Sequence, residues 1–228
     1  MAHVGVLKVL ERERVPVDVV VGTSMGAIIG GLDASGMGAA ALEAELVKLN
    51  WDSVFAVRVD RQQLSQRRKE EDFEISPVIE MGVNNGEFRV PLGALSGRGL
   101  ETLLRRFTLP VRNVTDFDTL PIPFRALATD MESGQPVVLS FGALALALRS
   151  SMSVPGVFAP TDVDGRILGD GGLVNNLPLD VARTMGVDLV IALNVGTPLA
   201  GRDTLGSAGG LTYTPRGSTG VYLFIGRP

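Results

Sequence analysis

The sequence predicts an α/β layer fold with a largely parallel central sheet, on three observations. Segments of strand and helix periodicity alternate along the chain. Two of the strand segments, 17–21 and 188–195, are apolar and rich in β-branched residues, as strands covered on both faces are. No internal repeat or long linker divides the 228 residues, and 45% hydrophobic side chains suffice for one sizeable core.

Taken in order, His3 to Arg14 places Val4, Leu7 and Leu10 on one face, so an amphipathic helix is expected almost from the first residue. Val17 to Val21 follows Pro16 and stops at Gly22, the reading of a buried strand. Met25 to Ser35 and Ala39 to Leu49 are the next helices, the latter with Leu42, Leu46 and Leu49 in one stripe. Arg58 to Asp72 is a mixed-sign charged run, expected as a solvated surface excursion, with a mobile lid as the alternative. Gly99 to Phe107 reads as a helix, Phe124 to Ala128 and Val137 to Leu139 as strands, and Ala143 to Arg149 as a helix. Leu179 to Met185 is a helix stopped by Gly186, and Asp188 to Val195 is the last strand expected. Beyond Thr197 glycine and proline recur without a period, which predicts a poorly ordered tail.

Composition excludes several classes of function. With 21 basic and 25 acidic side chains and a net charge of −4, no global field draws the chain to nucleic acid. Without cysteine there is no disulfide and no thiolate zinc site, and one histidine cannot make a histidine cluster, so neither a metal nor a cofactor is expected. No stretch reaches the roughly 18 apolar residues of a membrane span, and no signal-peptide pattern opens the sequence. The compartment stays open: cytoplasmic for the sequence as written, periplasmic or cell-surface for a piece of a longer secreted protein. Oligomeric state is not legible.

Chemistry concentrates at Gly22-Thr23-Ser24-Met25-Gly26, a G-x-S-x-G run between an expected strand and an expected helix. On such a sharp turn Gly22 and Gly26 let backbone approach closely, Ser24 is exposed as a nucleophile, and the Met25 N–H points from the helix start toward a developing oxyanion. Ser24 needs a base. His3 is the one histidine, and beside Val4 and Val6 in a helix it suits packing better than proton transfer. A carboxylate is the other choice, and Asp170 stands out because Ile167-Leu168-Gly169 breaks there into the turn Gly171-Gly172.

Four ordered motifs then resemble the bacterial patatin-like phospholipases. They are Ala2-His3-Val4-Gly5-Val6-Leu7, the Gly22–Gly26 turn, the run Ser151-Met152-Ser153-Val154-Pro155-Gly156-Val157-Phe158-Ala159-Pro160, and Asp170-Gly171-Gly172 with Asn175-Asn176-Leu177-Pro178. Phe124 to Gly134 is similar as well. The resemblance covers about residues 2–200 and implies a three-layer α/β/α fold around a mostly parallel sheet. It implies a serine acyl hydrolase with a Ser24–Asp170 dyad, cleaving phospholipid or other lipid esters through an acyl-enzyme and touching a membrane surface transiently. Members of the family carry a G-G-G-x-R-G loop after a first strand, ahead of the helix that starts here at Ala2. The sequence as it stands contains neither, so an N-terminally truncated domain over 1–200, lacking its first strand, is expected, followed by an irregular tail over 201–228. Met25 is then the one oxyanion donor named, and the alternative reading is a catalytically impaired, patatin-shaped lipid-binding or interaction module. Ala143, Leu144, Leu146, Ala147 and Leu148, with Val154, Val157 and Phe158, are expected either near the active-site wall, favouring medium or long acyl chains, or simply as core.

Overall fold

The computed structural model describes residues 1–51 and 97–195, and the backbone of strands 82–84, 87–89, 93–95 and 219–225. The chain opens with α1 (Ala2–Arg12), β1 (Val19–Thr23), α2 (Met25–Ala34) and α3 (Ala39–Lys48). There follow β2 (Gly82–Asn84), β3 (Glu87–Arg89), β4 (Gly93–Leu95) and α4 (Arg98–Phe107). Next come β5 (Phe124–Asp130), β6 (Pro136–Leu139), α5 (Leu144–Ser151), β7 (Gly156–Phe158), β8 (Thr161–Val163) and β9 (Arg166–Asp170). The last elements are α6 (Leu179–Thr184), β10 (Leu189–Val195) and β11 (Thr219–Ile225).

The main sheet runs in the order β10-β11-β1-β5-β9-β8, with β6 paired to β5. Every residue of β1 is buried, as a central strand of a covered sheet requires. Its side chains alternate between two cores. Val20 joins the larger one, with Val4 and Leu7 of α1, Ile29 and Leu32 of α2, Leu42 of α3 and Leu104 of α4. Val19 and Val21 join Leu127 and Ala182 of α6 on the other side. Helices thus cover both faces, the three layers the sequence predicts. The sheet is mixed: β1 and β5 pair in parallel and β10 runs the same way, whereas β11, β6 and β9 run against them. The hairpin into β6 and the short β8–β9 connection account for two of the antiparallel pairs, since tight turns join only antiparallel strands.

The expectation of an irregular tail over 201–228 is corrected in one part. Thr219–Ile225 form β11, antiparallel to β1 from Val19↔Phe224 to Gly22↔Val221 and to β10 from Leu189↔Ile225 to Val195↔Thr219. The run Val221-Tyr222-Leu223-Phe224-Ile225 has the β-branched and aromatic content of a strand, which the preceding glycines mask in a reading of local periodicity. β11 thereby supplies the ladder on the side of β1 away from β5. The charged run 58–72 lies outside the described residues.

Helix α2 is buried on all sides, with Gly26, Ala27, Ile28, Ile29, Gly30, Gly31, Leu32 and Ala34 all inside. Asp33 alone breaks this apolar run. Burial, and secondarily the Glu11 carboxylate, raise its pKa from 3.8 to about 6. Glu11 has its own task, its Oε1 accepting the Ala39 N–H at 2.7 Å and so capping α3. Because the folded pKa of Asp33 lies above its unfolded value, its contribution is lost as pH rises from about 4 through about 6, by about 2 kcal/mol after allowance for partial exposure. Asp33→Asn should therefore raise Tm by about 4–8 °C at pH 8 and by much less at pH 4, which thermal melts at the two pH values will read.

Candidate active site

Ser24 follows the last residue of β1 and precedes the first of α2, with φ 56° and ψ −126°. Such a backbone costs a non-glycine residue on the order of 1–3 kcal/mol and persists where its surroundings hold it. Gly22 is one of the holds. A Cβ there would sit 2.6 Å from the Ala27 Cα and 2.7 Å from the Gly26 carbonyl oxygen, so only glycine lets the first turn of α2 fold back on the strand. The Ser24 N–H donates to Ser151 Oγ at 2.9 Å, and that hydroxyl donates in turn to the Leu127 carbonyl of β5.

The register of β5 places the carboxylate. Thr23 pairs with Leu127 on one side of β5 and Asp170 pairs with Ala128 on the other, so Asp170 stands level with residue 24, two strand spacings or roughly 10 Å across the sheet. The chain then turns back over β5 toward β1. At Gly171 a Cβ would lie 2.3 Å from the Leu127 carbonyl oxygen and 3.0 Å from Thr23 Cγ2, which is why glycine follows the aspartate. The crossing is pinned by Thr23 Oγ1 donating to the Asn175 carbonyl at 3.1 Å.

The outcome is a hydrogen bond of 2.6 Å from Ser24 Oγ to Asp170 Oδ2. The second carboxylate oxygen, Oδ1, accepts the Gly172 N–H at 2.7 Å. Thr129 Oγ1 donates to the Asp170 carbonyl at 2.7 Å, and the Asp170 N–H donates to the Ser153 carbonyl at 2.9 Å. Both side chains are buried, at 4% exposure for Ser24 and 6% for Asp170. Burial pushes the Asp170 pKa up, partly offset by the hydrogen bonds from Ser24 and Gly172. A carboxylate raised in this way is a better proton acceptor than one in water.

All the residues singled out at the turn and at Asp170-Gly171-Gly172 are thus brought together. Met25 opens α2, where the first N–H groups of a helix have no intrahelical acceptor. His3 is buried on the inner face of α1 with Val4, Leu7 and Leu10, and the Ser24 hydroxyl bonds to Asp170 rather than to it. Ser151 has a role that the sequence did not disclose, although it begins one of the four motifs. Arg149 is a second such case: it donates from Nη1 to Ser153 Oγ at 2.7 Å and from Nη2 to the Ala159 carbonyl at 2.9 Å, and lies 4.9 Å above the Phe158 ring. It braces the loop whose Ser153 carbonyl holds the Asp170 amide.

Of the two roles expected for the apolar residues of 143–158, the core role is the one the burial supports. Leu144, Ala147, Leu148 and Phe158 are interior core, and Leu146, Val154 and Val157 are half-buried. A hollow of about 660 Å³, lined by residues such as Val19, Pro123, Arg125 and Val181, contains neither Ser24 nor Asp170. Among the described residues no group of three or more His, Cys, Asp or Glu side chains could hold a metal ion, and no helix is long and apolar enough to cross a membrane.

Comparison with known proteins places this geometry in a wider set. A sequence family described as patatin-like phospholipase matches residues 1–183. An uncharacterized NTE family protein of Mycobacterium tuberculosis is 30% identical over 200 residues, covering 88% of this chain and 47% of that protein. Patatin-like phospholipase domain-containing protein 7 of Rattus norvegicus is 31% identical over 199 residues, 86% of this chain and 13% of that protein. Patatin-like phospholipase domain-containing protein 6 of Homo sapiens is likewise 31% identical over 199 residues, 86% of this chain and 12% of its own length. The chain therefore spans about half the length of the mycobacterial relative and a much smaller share of the two mammalian ones.

Ser151→Ala removes the acceptor of the buried Ser24 N–H and the donor to Leu127 at one stroke. It should destabilise the fold by about 1–3 kcal/mol, seen as a lower urea midpoint with an unchanged slope.

Proposed function

Because this chain belongs to the patatin-like phospholipase family, we propose that it is a serine acyl hydrolase that cleaves carboxylic esters of lipids with Ser24 as nucleophile and Asp170 as base. The observation that carries the proposal is the 2.6 Å hydrogen bond between the two side chains at a strand-to-helix turn. The Mycobacterium tuberculosis relative is described by family only, whereas the two mammalian relatives are named for a phospholipase domain, which supports a lipid ester as substrate.

The reaction follows from the geometry. Asp170 Oδ2 accepts the Ser24 proton as Oγ attacks the ester carbonyl carbon. Negative charge moves to the carbonyl oxygen, where the Met25 N–H at the start of α2 is a donor, and each donor of this kind is worth about 10²–10³ in rate. The tetrahedral species collapses by breaking the bond to the alcohol oxygen, and that oxygen takes the proton from Asp170. Water then attacks the acyl-enzyme and gives a proton to Asp170, which returns it to Ser24 Oγ as the carboxylic acid leaves. The Gly172 N–H on Oδ1 keeps the carboxylate turned toward the serine throughout. Neither metal nor cofactor enters any step.

A fluorophosphonate probe should label Ser24 and no other serine, as peptide mass spectrometry will read. Ser24→Ala should abolish labelling, and Asp170→Asn should slow it about 10²–10⁴-fold, the usual contribution of a positioned base. Labelling of a different serine overturns the assignment. A folded protein whose Ser24 stays unlabelled supports the alternative of a binding module.

A further inference from the structure

Two hydroxyls that take no part in the proton path touch the main chain of Ser24 and of Asp170, and both are anchored on β5. Ser151, the last residue of α5, accepts the Ser24 N–H at 2.9 Å through Oγ and donates to the Leu127 carbonyl. Thr129, two residues further along β5, donates from Oγ1 to the Asp170 carbonyl at 2.7 Å. At 0% and 3% exposure neither side chain reaches a substrate. A third tie comes from the same end of α5, since the Ser153 carbonyl accepts the Asp170 N–H at 2.9 Å two residues beyond the hydroxyl that holds Ser24.

We propose that Ser151 and Thr129 are positioning residues for the reaction: tied to nearby points of β5, they place the main chains of Ser24 and Asp170 so that Oγ and Oδ2 stand at hydrogen-bond distance. The inference rests on the acyl hydrolase reading of these two side chains. Packing alone leaves the hydroxyls unexplained, because alanine or valine would fill the two buried positions without a polar atom to satisfy. What the hydroxyls add is a directed bond to the backbone of each reacting residue.

The need for such bonds is greatest at Ser24. Its φ of 56° and ψ of −126° cost on the order of 1–3 kcal/mol, and a turn released from Ser151 relaxes toward ordinary backbone and carries Oγ with it. At Asp170 the Gly172 N–H orients the carboxylate, whereas Thr129 holds the main chain from which that carboxylate projects. The 2.6 Å bond between the two side chains leaves little room for movement. A misplacement of about 1 Å at a reacting group costs up to roughly 10² in rate.

The test is the concentration dependence of Ser24 labelling by an ethyl fluorophosphonate, which separates the limiting rate from the half-saturating concentration. Thr129→Val should lower the limiting rate about 10- to 100-fold and move half-saturation by less than about twofold, and Thr129→Ser, which keeps the hydroxyl, should recover most of the rate. The pH profile separates positioning from mere loss of stability. Burial raises the Asp170 carboxyl while the Ser24 and Gly172 bonds lower it, so weakening the Ser24 bond should move the low-pH limb to higher pH. Partial unfolding would scale the profile and leave its midpoint in place. With Asp170→Asn already present, Thr129→Val should cost less than about threefold more, because no base remains to be placed. Should Thr129→Val not fold, Ser151→Ala is read in the same assays with the same expectations. A folded variant that labels at the wild-type rate, an unmoved limb, or an undiminished loss in the Asp170→Asn background overturns the positioning role, while labelling of Ser24 in the wild type leaves the hydrolase reading standing. A wild type whose Ser24 does not label overturns that reading, and the positioning role with it.

Discussion

The hydrogen bond from Ser24 to Asp170 joins positions 146 residues apart, and strand β5 is the constraint that makes it form. β5 pairs with β1 on one side and β9 on the other, in registers that set the end of each neighbour at one level. A slip of one residue on either side would turn the side chain to the opposite face of the sheet. Leu127 fixes the arrangement twice more, since its carbonyl accepts the Ser151 hydroxyl and also lies against Gly171. The Ser24–Asp170 pair is therefore held by the centre of the sheet, where a functional geometry is best positioned.

Two costs are built into this site. Ser24 carries a backbone conformation that disfavours side chains, and Asp170 is a carboxylate taken out of water. Both are held by the surrounding fold: α2, buried on all sides, anchors the turn after β1, and two donors, Ser24 Oγ and Gly172 N–H, face the carboxylate. The same burial that costs stability raises the pKa of Asp170 and so makes it a stronger base. The positions that strain the fold are thus those the proposed chemistry needs, as is common at active sites.

What was legible in the sequence was what local pattern encodes. β1 could be read because Val19, Val20 and Val21 follow a proline and end at a glycine, and α2 because an apolar helical run starts directly after Ser24. Asp170 stood out through the glycines after it, and the structure gives their reason in the Leu127 carbonyl. Non-local facts were not legible. Ser151 acts on Ser24, 127 residues away in sequence, which no spacing rule detects. β11 takes its place by pairing with β1 and β10, both distant in the chain. The apolar residues of α5 were read as lining the site or as core, and Leu144, Ala147 and Leu148 prove to be core, a distinction that local pattern does not carry. Periodicity tells that a face is buried, not what it is buried against.

The most direct measurement is the pH dependence of the rate at which a fluorophosphonate labels Ser24, in the wild type, in His3→Ala and in Asp170→Asn. If Asp170 is the base, the wild-type rate falls at low pH through a single protonation whose midpoint lies above 3.8, because burial raises that carboxyl. His3→Ala then leaves the limb in place, and Asp170→Asn removes it together with most of the rate. A limb that moves or disappears in His3→Ala and survives in Asp170→Asn would contradict the dyad and make His3 the base.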